Sequence, residues 1–370
     1  NTHGQLGIGT LAHQQQPALV GGLGQLATSR VLMAAAGDCH QAAVLEDRSI
    51  CIWGCGENGR LGHGDEHQQP SPVRMGREVF AGSPVVMVAC GRAHTVVVTA
   101  AGRVWTCGAN GAGQLGHSDT ADRLVFTLVR AERFEETRIV MAACGCNHTA
   151  VVTAEGRVWT WGCGYPFGCL GHNDEQNRPT PTLLAAEQLG GSTIVMVAAG
   201  SAHTVAVDEG GAPWVWGCGD LGELGLGDGA GRRVPTQLGT EAFGGSRVHM
   251  AACGSNHTLF LTREGELWAC GLFGGFAFRL GLNDQLSRFA PTRVGPQHFG
   301  AACVTAVAAG RTHSAALAED GTLYTWGHQQ EEDETDFWDS DDEALGAAPV
   351  VPGGLGHADL LDRLVPTAVP

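Results

Sequence analysis

The sequence contains no lysine, and all 22 of its basic residues are arginine. Against 38 acidic residues this leaves a net charge of -16. Sequence-independent binding to DNA or RNA needs positive charge clustered against the phosphates, so this balance argues against direct nucleic-acid binding. A Gly-x-x-x-x-Gly-Lys loop for nucleotide phosphates is excluded as well, because there is no lysine to complete it.

Long apolar runs and helical periodicity are also missing. No run of about 18 apolar residues could span a bilayer and no signal peptide opens the chain, so we expect an intracellular protein, cytoplasmic or nuclear, without membrane insertion. No window sustains the 3.6-residue apolar period of a helix, and the 56 glycines oppose helices further. The sequence therefore indicates an all-β protein.

Patterns for metals and disulfides are lacking too. Among 13 cysteines, no two Cys-x-x-Cys pairs stand at zinc spacing. Several cysteines recur at equivalent places in the repeats and cannot easily pair with one another, so we interpret them as small buried apolar residues in a reducing compartment. These are Cys55, Cys90, Cys107, Cys144, Cys163, Cys218, Cys253 and Cys270. We expect no metal site and no cofactor.

What the sequence has in abundance is repetition. Gly-x-x-His followed by Thr, Ser or Gln occurs six times at intervals of 54 to 56 residues, and a Leu-Gly pair recurs once per unit at seven places. The histidines are His40, His94, His148, His203, His257 and His313, and the pairs start at Leu6, Leu61, Leu115, Leu170, Leu224, Leu280 and Leu355. Such a repeat predicts one closed array over residues 1–370, with unit boundaries near 36, 90, 144, 199, 253 and 309.

Each unit holds short apolar segments separated by turns. Runs such as residues 96–98 are apolar on both faces, which predicts small sheets that are covered on both sides. Four short strands per unit and seven Leu-Gly turns predict a seven-bladed β-propeller. A parallel β-helix is the alternative, but its repeats are shorter. Both chain ends fall within a repeat, so we expect the seventh blade to be split between the termini and incomplete, as in a fragment or a ring with a gap.

The repeated residues have predicted structural roles. The motif glycines are expected where another backbone comes close, and the six histidines are expected to bond backbone groups near their turn. Trp53, Trp161, Trp216 and Trp326 are expected to wedge between blades. The histidines after Leu-Gly are expected at the surface of turns, and they are His63, His117, His172 and His357.

Residues 328–354 interrupt the repeat. Nine acidic residues lie between Glu331 and Glu343. Like charges repel, so one interpretation is a solvated loop. Phe337 and Trp338 lie in the middle of the acidic run, however, and aromatic residues flanked by acids suit docking onto a basic partner surface, which is the second interpretation.

The repeat resembles that of the regulator of chromosome condensation family. Residues 102–116 (Gly-Arg-Val-Trp-Thr-Cys-Gly-Ala-Asn-Gly-Ala-Gly-Gln-Leu-Gly) and 140–149 carry the resemblance, which covers almost all of the chain outside residues 328–354. It implies a seven-bladed propeller. The best-known member is a chromatin-bound exchange factor for the GTPase Ran, and others are plant UV-B receptors, parts of ubiquitin ligases and partners of ciliary GTPase regulators.

Three functions follow from the resemblance. Exchange activity relies in the family on the variable positions of Gly-x-x-His, where here only Asp38 is acidic. UV-B sensing needs tryptophan at the first variable position, and no copy has one. We favour the third, a non-catalytic protein-binding platform, with exchange on a Ran-like small GTPase as the alternative. The candidate contact residues are Asp38, Arg92, Asn147, Asn256, Arg311, Phe337 and Trp338, and no catalytic residue is assigned.

Overall fold

The computed structural model describes residues 1–20, 26, 29–272, 278–300, 302–328, 355, 357 and 363–369. These residues form 24 strands and six short 3₁₀ helices, and no α-helix occurs among them. The strands make six four-stranded antiparallel sheets, and each sheet uses four consecutive strands in chain order. We call the sheets blades I to VI.

All six blades share the same plan of strand, tight turn, strand, short loop, strand, long loop and strand. Blade I contains β1 (Val31–Ala36), β2 (His40–Leu45), β3 (Ile50–Gly54) and β4 (Gln69–Met75), and blade II contains β5 (Val85–Cys90), β6 (His94–Thr99), β7 (Val104–Gly108) and β8 (Arg123–Leu128). Blade III contains β9 (Ile139–Cys144), β10 (His148–Thr153), β11 (Val158–Gly162) and β12 (Arg178–Leu183), and blade IV contains β13 (Ile194–Ala199), β14 (His203–Asp208), β15 (Pro213–Gly217) and β16 (Arg232–Gln237). Blade V contains β17 (Val248–Cys253), β18 (His257–Thr262), β19 (Leu267–Gly271) and β20 (Arg288–Arg293), and blade VI contains β21 (Val304–Ala309), β22 (His313–Ala318), β23 (Leu323–Gly327) and β24 (Arg363–Ala368).

Short 3₁₀ helices link successive blades. One follows the fourth strand in each of blades I to V, and each ends in a buried Phe or Leu side chain that packs at the blade interface. Phe80, for example, meets Trp105 of the next blade edge to face, with ring centroids 5.8 Å apart. These helices are Arg77–Phe80, Ala131–Phe134, Ala186–Leu189, Thr240–Phe243 and Pro296–Phe299, and the sixth, Glu57–Gly59, lies between β3 and β4.

The first strands lie innermost. The first strands of successive blades contact each other, and each second strand contacts the first strand of the following blade. Every residue of β6, β10, β14 and β18 is buried, because each of these strands is covered by a blade on both sides. The expectation of sheets covered on both faces is therefore confirmed for these blades, and a β-helix is excluded.

The predicted number of blades was wrong. The described residues contain six four-stranded blades, not seven with the last one split between the termini. The Leu-Gly pairs misled the prediction because those of blades I to V each lie between the third and fourth strands of one blade but contact the next blade. The Leu6-Gly7 pair precedes β1 and packs on blade I in the same way, where Trp53 Nε1 donates to the Gln5 carbonyl at 2.9 Å. The number of Gly-x-x-His motifs, which is six, equals the number of blades among the described residues.

The two end blades expose apolar side chains that are buried in the other blades. Leu317 and its cross-strand partner Leu323 are each 40% exposed in blade VI. The equivalent pair in blade V, Leu261 and Leu267, is at most 1% exposed. Likewise Val31 at the start of β1 is 44% exposed, whereas the first residue of every other inner strand is nearly inaccessible. Burial of these side chains therefore depends on a neighbouring blade, which would precede blade I for Val31 and follow blade VI for Leu317 and Leu323.

This difference predicts unequal effects of the same substitution. Leu261→Ala should lower the free energy of unfolding by about 2–5 kcal/mol, because it opens a cavity between blades V and VI. Leu317→Ala should lower it by less than about 1 kcal/mol, because its side chain is already partly in water. Urea unfolding followed by tryptophan fluorescence measures both. Equal losses would contradict the described packing.

Candidate functional site

Each blade is joined to the next through a histidine and a hydroxyl. The imidazole Nε2 of the motif histidine lies 2.9–3.0 Å from the hydroxyl oxygen at the second position of the following blade's second strand. The five pairs are His40 with Thr95, His94 with Thr149, His148 with Thr204, His203 with Thr258, and His257 with Ser314. The sequence prediction had placed the histidine bond within its own turn, whereas it crosses to the neighbouring blade.

The same hydroxyls complete a relay back to the preceding blade. Thr149 Oγ1 donates to the carbonyl of Gln114 at 3.0 Å, and Gln114 directly precedes the Leu-Gly pair of blade II. Trp161 Nε1 donates to that carbonyl at 2.8 Å. The hydroxyl has one hydrogen, which the carbonyl receives, so His94 must donate from Nε2 and is the neutral tautomer protonated there. The corresponding hydroxyl bonds in the other blades are Thr95 to Arg60, Thr204 to Cys169, Thr258 to Glu223 and Ser314 to Arg279.

Burial keeps these histidines uncharged. It lowers the pKa of His40, His94 and His203 to about 3 and that of His148 to about 4, since an imidazolium loses its hydration inside the protein. They carry neither charge nor an accessible ring at neutral pH. Their role is to hold adjacent blades together.

The motif glycines bring the turns themselves into contact. A Cβ on Gly91 would lie 2.6 Å from the carbonyl oxygen of Gly145 and 2.5 Å from His94 Nδ1, so only glycine fits there. The motif glycines of blades I to V all face the next glycine in this way. The turns therefore stack side by side around the axis at one end of the blades. We call this end, formed by residues 37–40, 91–94, 145–148, 200–203, 254–257 and 310–313, the motif end.

The first variable residue of each motif lies at this end. Cys146 forms a side-chain hydrogen bond with Ser201 and is subject to the charges of Asp38, Arg92 and Arg311. Burial raises the pKa of the Cys146 thiol to about 11; the Asp38 carboxylate also raises it, and the two guanidinium groups oppose that rise. The Cys146 thiol is therefore within electrostatic range of charged side chains from blades I, II and VI. We call Asp38, Arg92, Cys146, Ser201 and Arg311 the axial cluster.

Three of the predicted contact residues belong to the axial cluster, and two others lie at the second variable position of the motif. Asp38 and Arg311 are exposed and Arg92 is half-buried, and all three belong to the axial cluster. Asn147 and Asn256 occupy the second variable position, where their carbonyls accept the backbone N–H groups of Cys163 and Leu272 at 2.8 Å. Sequence reasoning left Cys146 and Ser201 out of the contact set, although their register in the repeat equals that of Asp38.

Phe337 and Trp338 lie outside the described residues. The strand ends that flank their segment are described, and Gly327 pairs with Arg363 in blade VI. A Cβ on Gly327 would lie 2.5 Å from the carbonyl oxygen of Thr312, which belongs to the motif turn. Gly327 and Arg363, the described strand ends on either side of that part of the chain, therefore both lie at the motif end.

The four histidines that follow Leu-Gly pairs are less exposed than predicted. His117 and His172 are only half-exposed, and their Nε2 atoms lie 2.9 Å from the hydroxyls of Thr106 and Thr160. His357 is 6% exposed and bonds Thr325 in the same way at 3.0 Å, and His63 is half-buried. The expectation of surface histidines was wrong for His357, which is buried, whereas the other three are half-exposed. His117, His172 and His357 each bond a threonine of the third strand.

The cysteines form no disulfide bonds. All 13 cysteines are free thiols, with Cys303 exposed. Burial raises the pKa of Cys90 to about 12, as it does for Cys253, so both stay neutral at pH 7. Within the part of the chain that the structure describes, no group of three or more His, Cys, Asp or Glu could hold a metal ion, and no helix is long and apolar enough to cross a membrane.

The RCC1-like domain model matches residues 1–370. The ultraviolet-B receptor UVR8 of Arabidopsis thaliana is 36% identical over 301 residues, which are 80% of this chain and 65% of UVR8. Human E3 ubiquitin-protein ligase HERC2 is 34% identical over 270 residues, 72% of this chain but only 5% of HERC2. The chain thus spans less than two thirds of either relative.

Solved structures share the fold. Human WBSCR16 superposes with a TM-score of 0.76 and 26% identity, covering 93% of this chain and 82% of that one. Prp20p of Saccharomyces cerevisiae superposes with a TM-score of 0.80 and 22% identity, covering 100% of this chain and 84% of that one. The eight described tryptophans all lie in third strands, away from the position that UV-B sensing uses in the family.

Buried Glu223 occupies the position in blade IV that buried Gln114 occupies in blade II. Its carboxylate accepts the Leu221 N–H at 2.9 Å, just as the Gln114 amide accepts the Ala112 N–H at 3.0 Å in blade II. Burial raises the pKa of Glu223, so the folded state favours the protonated form. This stabilising contribution is complete below the unfolded pKa and is lost as the pH rises through the folded pKa. Glu223→Gln should therefore raise the melting temperature at pH 8.

The measurement is thermal unfolding from pH 4 to pH 8. The gap between variant and parent should be widest at pH 8 and shrink toward pH 4. Glu155→Gln, an exposed glutamate in a short loop, is the matched control and should show no such trend. A gap that grows toward pH 4 would contradict the sign of the shift.

Proposed function

The chain belongs to the RCC1-like domain family, and from that premise we propose that it is a non-catalytic protein-binding propeller whose partner contacts the motif end. Identity with relatives that share only the propeller does not select a partner, because function lies in sites carried on a fold. The proposal therefore rests on which residues at the motif end are free to differ between blades.

The proposal is based on the contrast between the recurring and the variable positions of the Gly-x-x-His turn. The glycine, the histidine and the following hydroxyl of the motif hold blade to blade, and they recur from blade to blade with few exceptions. The first variable residue, by contrast, changes from acid to base to thiol to hydroxyl between blades. These residues are Asp38, Arg92, Cys146, Ser201, Ser255 and Arg311. A rigid frame that presents different side chains at one end is suited to recognising a protein surface.

The chemistry of the site supports binding rather than catalysis. The motif histidines of blades I to V are buried, neutral and engaged on Nε2, so they are not placed to exchange protons with a substrate. The Cys146 thiol has a raised pKa, which is the opposite of an activated nucleophile. The described polar groups of the site are therefore suited to contacting and orienting a protein partner.

We further propose that the acidic segment contributes to the same surface. Its flanks at Gly327 and Arg363 lie at the motif end. Nine acids around Phe337 and Trp338 would add an acidic, aromatic arm to the contacts of the axial cluster.

Capture of binding partners tests the proposal. The chain with Asp38→Ala, Arg92→Gln and Arg311→Gln should lose the partners that the parent chain retains. The matched control carries Arg103→Gln and Glu155→Gln, two exposed residues in the short loops at the opposite end, and should keep those partners. A deletion of residues 331–343 tests the arm separately. Partners retained by the axial variant but lost by the control would contradict the proposal.

A second candidate is nucleotide exchange on a Ran-like GTPase. One observation favours it, since Asp38 places an exposed carboxylate in the axial cluster, the residue type that the family uses. The related fold of Prp20p has binding properties to Gsp1p and histones, which are that protein's own.

Release of a fluorescent guanine nucleotide from Ran decides between the two. If this chain is an exchange factor, it should accelerate release, and Asp38→Ala should reduce the acceleration at least tenfold, by analogy with loss of a charge-assisted contact of about 1.4 kcal/mol or more. Absence of acceleration by the parent chain would exclude this candidate.

A further inference from the structure

Each first strand carries an unpaired residue near its start, at the end of the blades opposite the motif end. In all six blades the pairing register skips the second residue of the first strand, which forms a β-bulge. Val140 and Val195 occupy this position and are 46% and 52% exposed, whereas the residues directly before them are at most 1% exposed. Neighbouring blades cover both faces of blades III and IV, so the water that reaches these valines lies on the axial side of the first strands.

The next residue in the same register is methionine in blades I to V. Five of the six methionines of the chain thus form one row across adjacent first strands, and each is partly buried. They are Met33, Met87, Met141, Met196 and Met250. The Met87 sulfur accepts the N–H of Ala142 in the next first strand at 3.3 Å, and the Met196 sulfur accepts that of Ala251 at 3.2 Å. These side chains bridge adjacent strands, so the apolar surface continues from blade to blade.

We call the second and third residues of the first strands in blades II to IV the inner band. They are Val86, Met87, Val140, Met141, Val195 and Met196. Successive first strands approach within 8 Å between Cα atoms, so these residues are neighbours and not apolar residues scattered singly over a surface. Methionine side chains adapt to the shape of an apolar group, which suits the inner band to binding one.

The charges around the inner band differ from those of the whole chain. The residue directly before the first strand is Arg30, Arg138 or Arg247 in blades I, III and V, and it is uncharged in the other three blades. Its carbonyl accepts the N–H of the first short-loop residue, which is Arg263 in blade V, glutamate in blades I, IV and VI, and alanine in blades II and III. Four arginines and three glutamates give these positions a net charge of +1, against -16 for the chain.

Two of these arginines retain donors for a ligand. Arg138 is exposed, and its Nη2 donates to the Ala100 carbonyl at 2.9 Å, which occupies one of the five N–H groups of a guanidinium. Arg247 is exposed as well, and its side chain forms no hydrogen bond or ion pair with the residues that the structure describes. An incoming carboxylate can therefore pair with either side chain.

We propose that the inner band binds an aliphatic side chain that an acidic segment of a protein partner presents. The aliphatic group covers the exposed valines and the methionine row, and the flanking carboxylates pair with Arg138 and Arg247. This surface lies at the end opposite the axial cluster, so the inference goes beyond the proposed function and does not depend on it.

Short capped peptides replace the partner in the test. The probes are acetyl-Glu-Glu-Leu-Glu-Glu-amide, the same peptide with serine in place of leucine, and acetyl-Lys-Lys-Leu-Lys-Lys-amide. Each is titrated against the full chain with ¹³C-labelled valine and methionine methyl groups, in physiological salt, where the Debye length of about 8 Å screens the charge of distant residues. The methyl signals of Val140, Val195 and Met141 are identified by their loss in Val140→Ser, Val195→Ser and Met141→Leu.

The acidic leucine peptide should shift these three signals and bind about tenfold tighter than the serine peptide, because it buries a leucine side chain. It should also bind tighter than the lysine peptide. Combining Val140→Ser and Val195→Ser should weaken it about fivefold. Combining Arg138→Gln and Arg247→Gln should abolish the preference for acidic flanks.

Val125→Ser is the matched control. Val125 is 53% exposed, about as much as Val195, but it lies on the outer strand of blade II and its substitution should leave peptide binding unchanged. Circular dichroism checks that each variant is folded.

Three results would overturn the inference. They are an absence of shifts at the three signals up to the solubility of the peptide, equal binding of the leucine and serine peptides, and equal or tighter binding of the lysine peptide at the same signals. Because the peptides report on the end opposite the motif end, capture of partners through the axial cluster stands or fails separately.

Discussion

The structure depends on one hydroxyl group at each blade interface. Thr149 accepts from His94 of the preceding blade and donates to the Gln114 carbonyl of that same blade. A single buried side chain thereby accepts from an imidazole N–H that would otherwise lose its hydrogen bond on burial, which costs about 1–3 kcal/mol. It also gives the turn carbonyl a second donor besides Trp161. A small four-stranded sheet cannot supply these partners itself, so each blade is completed by the next.

This arrangement also explains where the chain can vary. The motif glycine must remain small because the next turn touches it, and the histidine must remain because it crosses the interface. The first of the two residues between them is not constrained to one residue type. Asp38, Arg92 and Cys146 show how far the chemistry can change there without a change of fold. The position that we propose for binding and the positions that stabilise the fold are thus neighbours in the same four-residue turn.

Much of this could be predicted from sequence, because the repeat makes each feature visible six times. Strand positions, the need for glycine and the wedge role of Trp161 and its equivalents all follow from recurrence and residue type. The number of blades was mispredicted because the Leu-Gly turn belongs to one blade in sequence and to the next in packing, which only coordinates reveal. Similarly, Cys146 attracts little notice in a sequence, and its place among Asp38, Arg92 and Arg311 results from contacts between blades that are far apart along the chain.

The most direct test of the account is a double-mutant cycle on one interface, with His94→Phe, Thr149→Val and the combined variant compared by urea unfolding. A shared hydrogen bond predicts a coupling free energy of about 1–3 kcal/mol between the two sites. The pair His94 and Thr258, which lie at different interfaces, should be additive within about 0.5 kcal/mol. If His94 and Thr149 were also additive, the hydroxyl relay would not be what joins the blades.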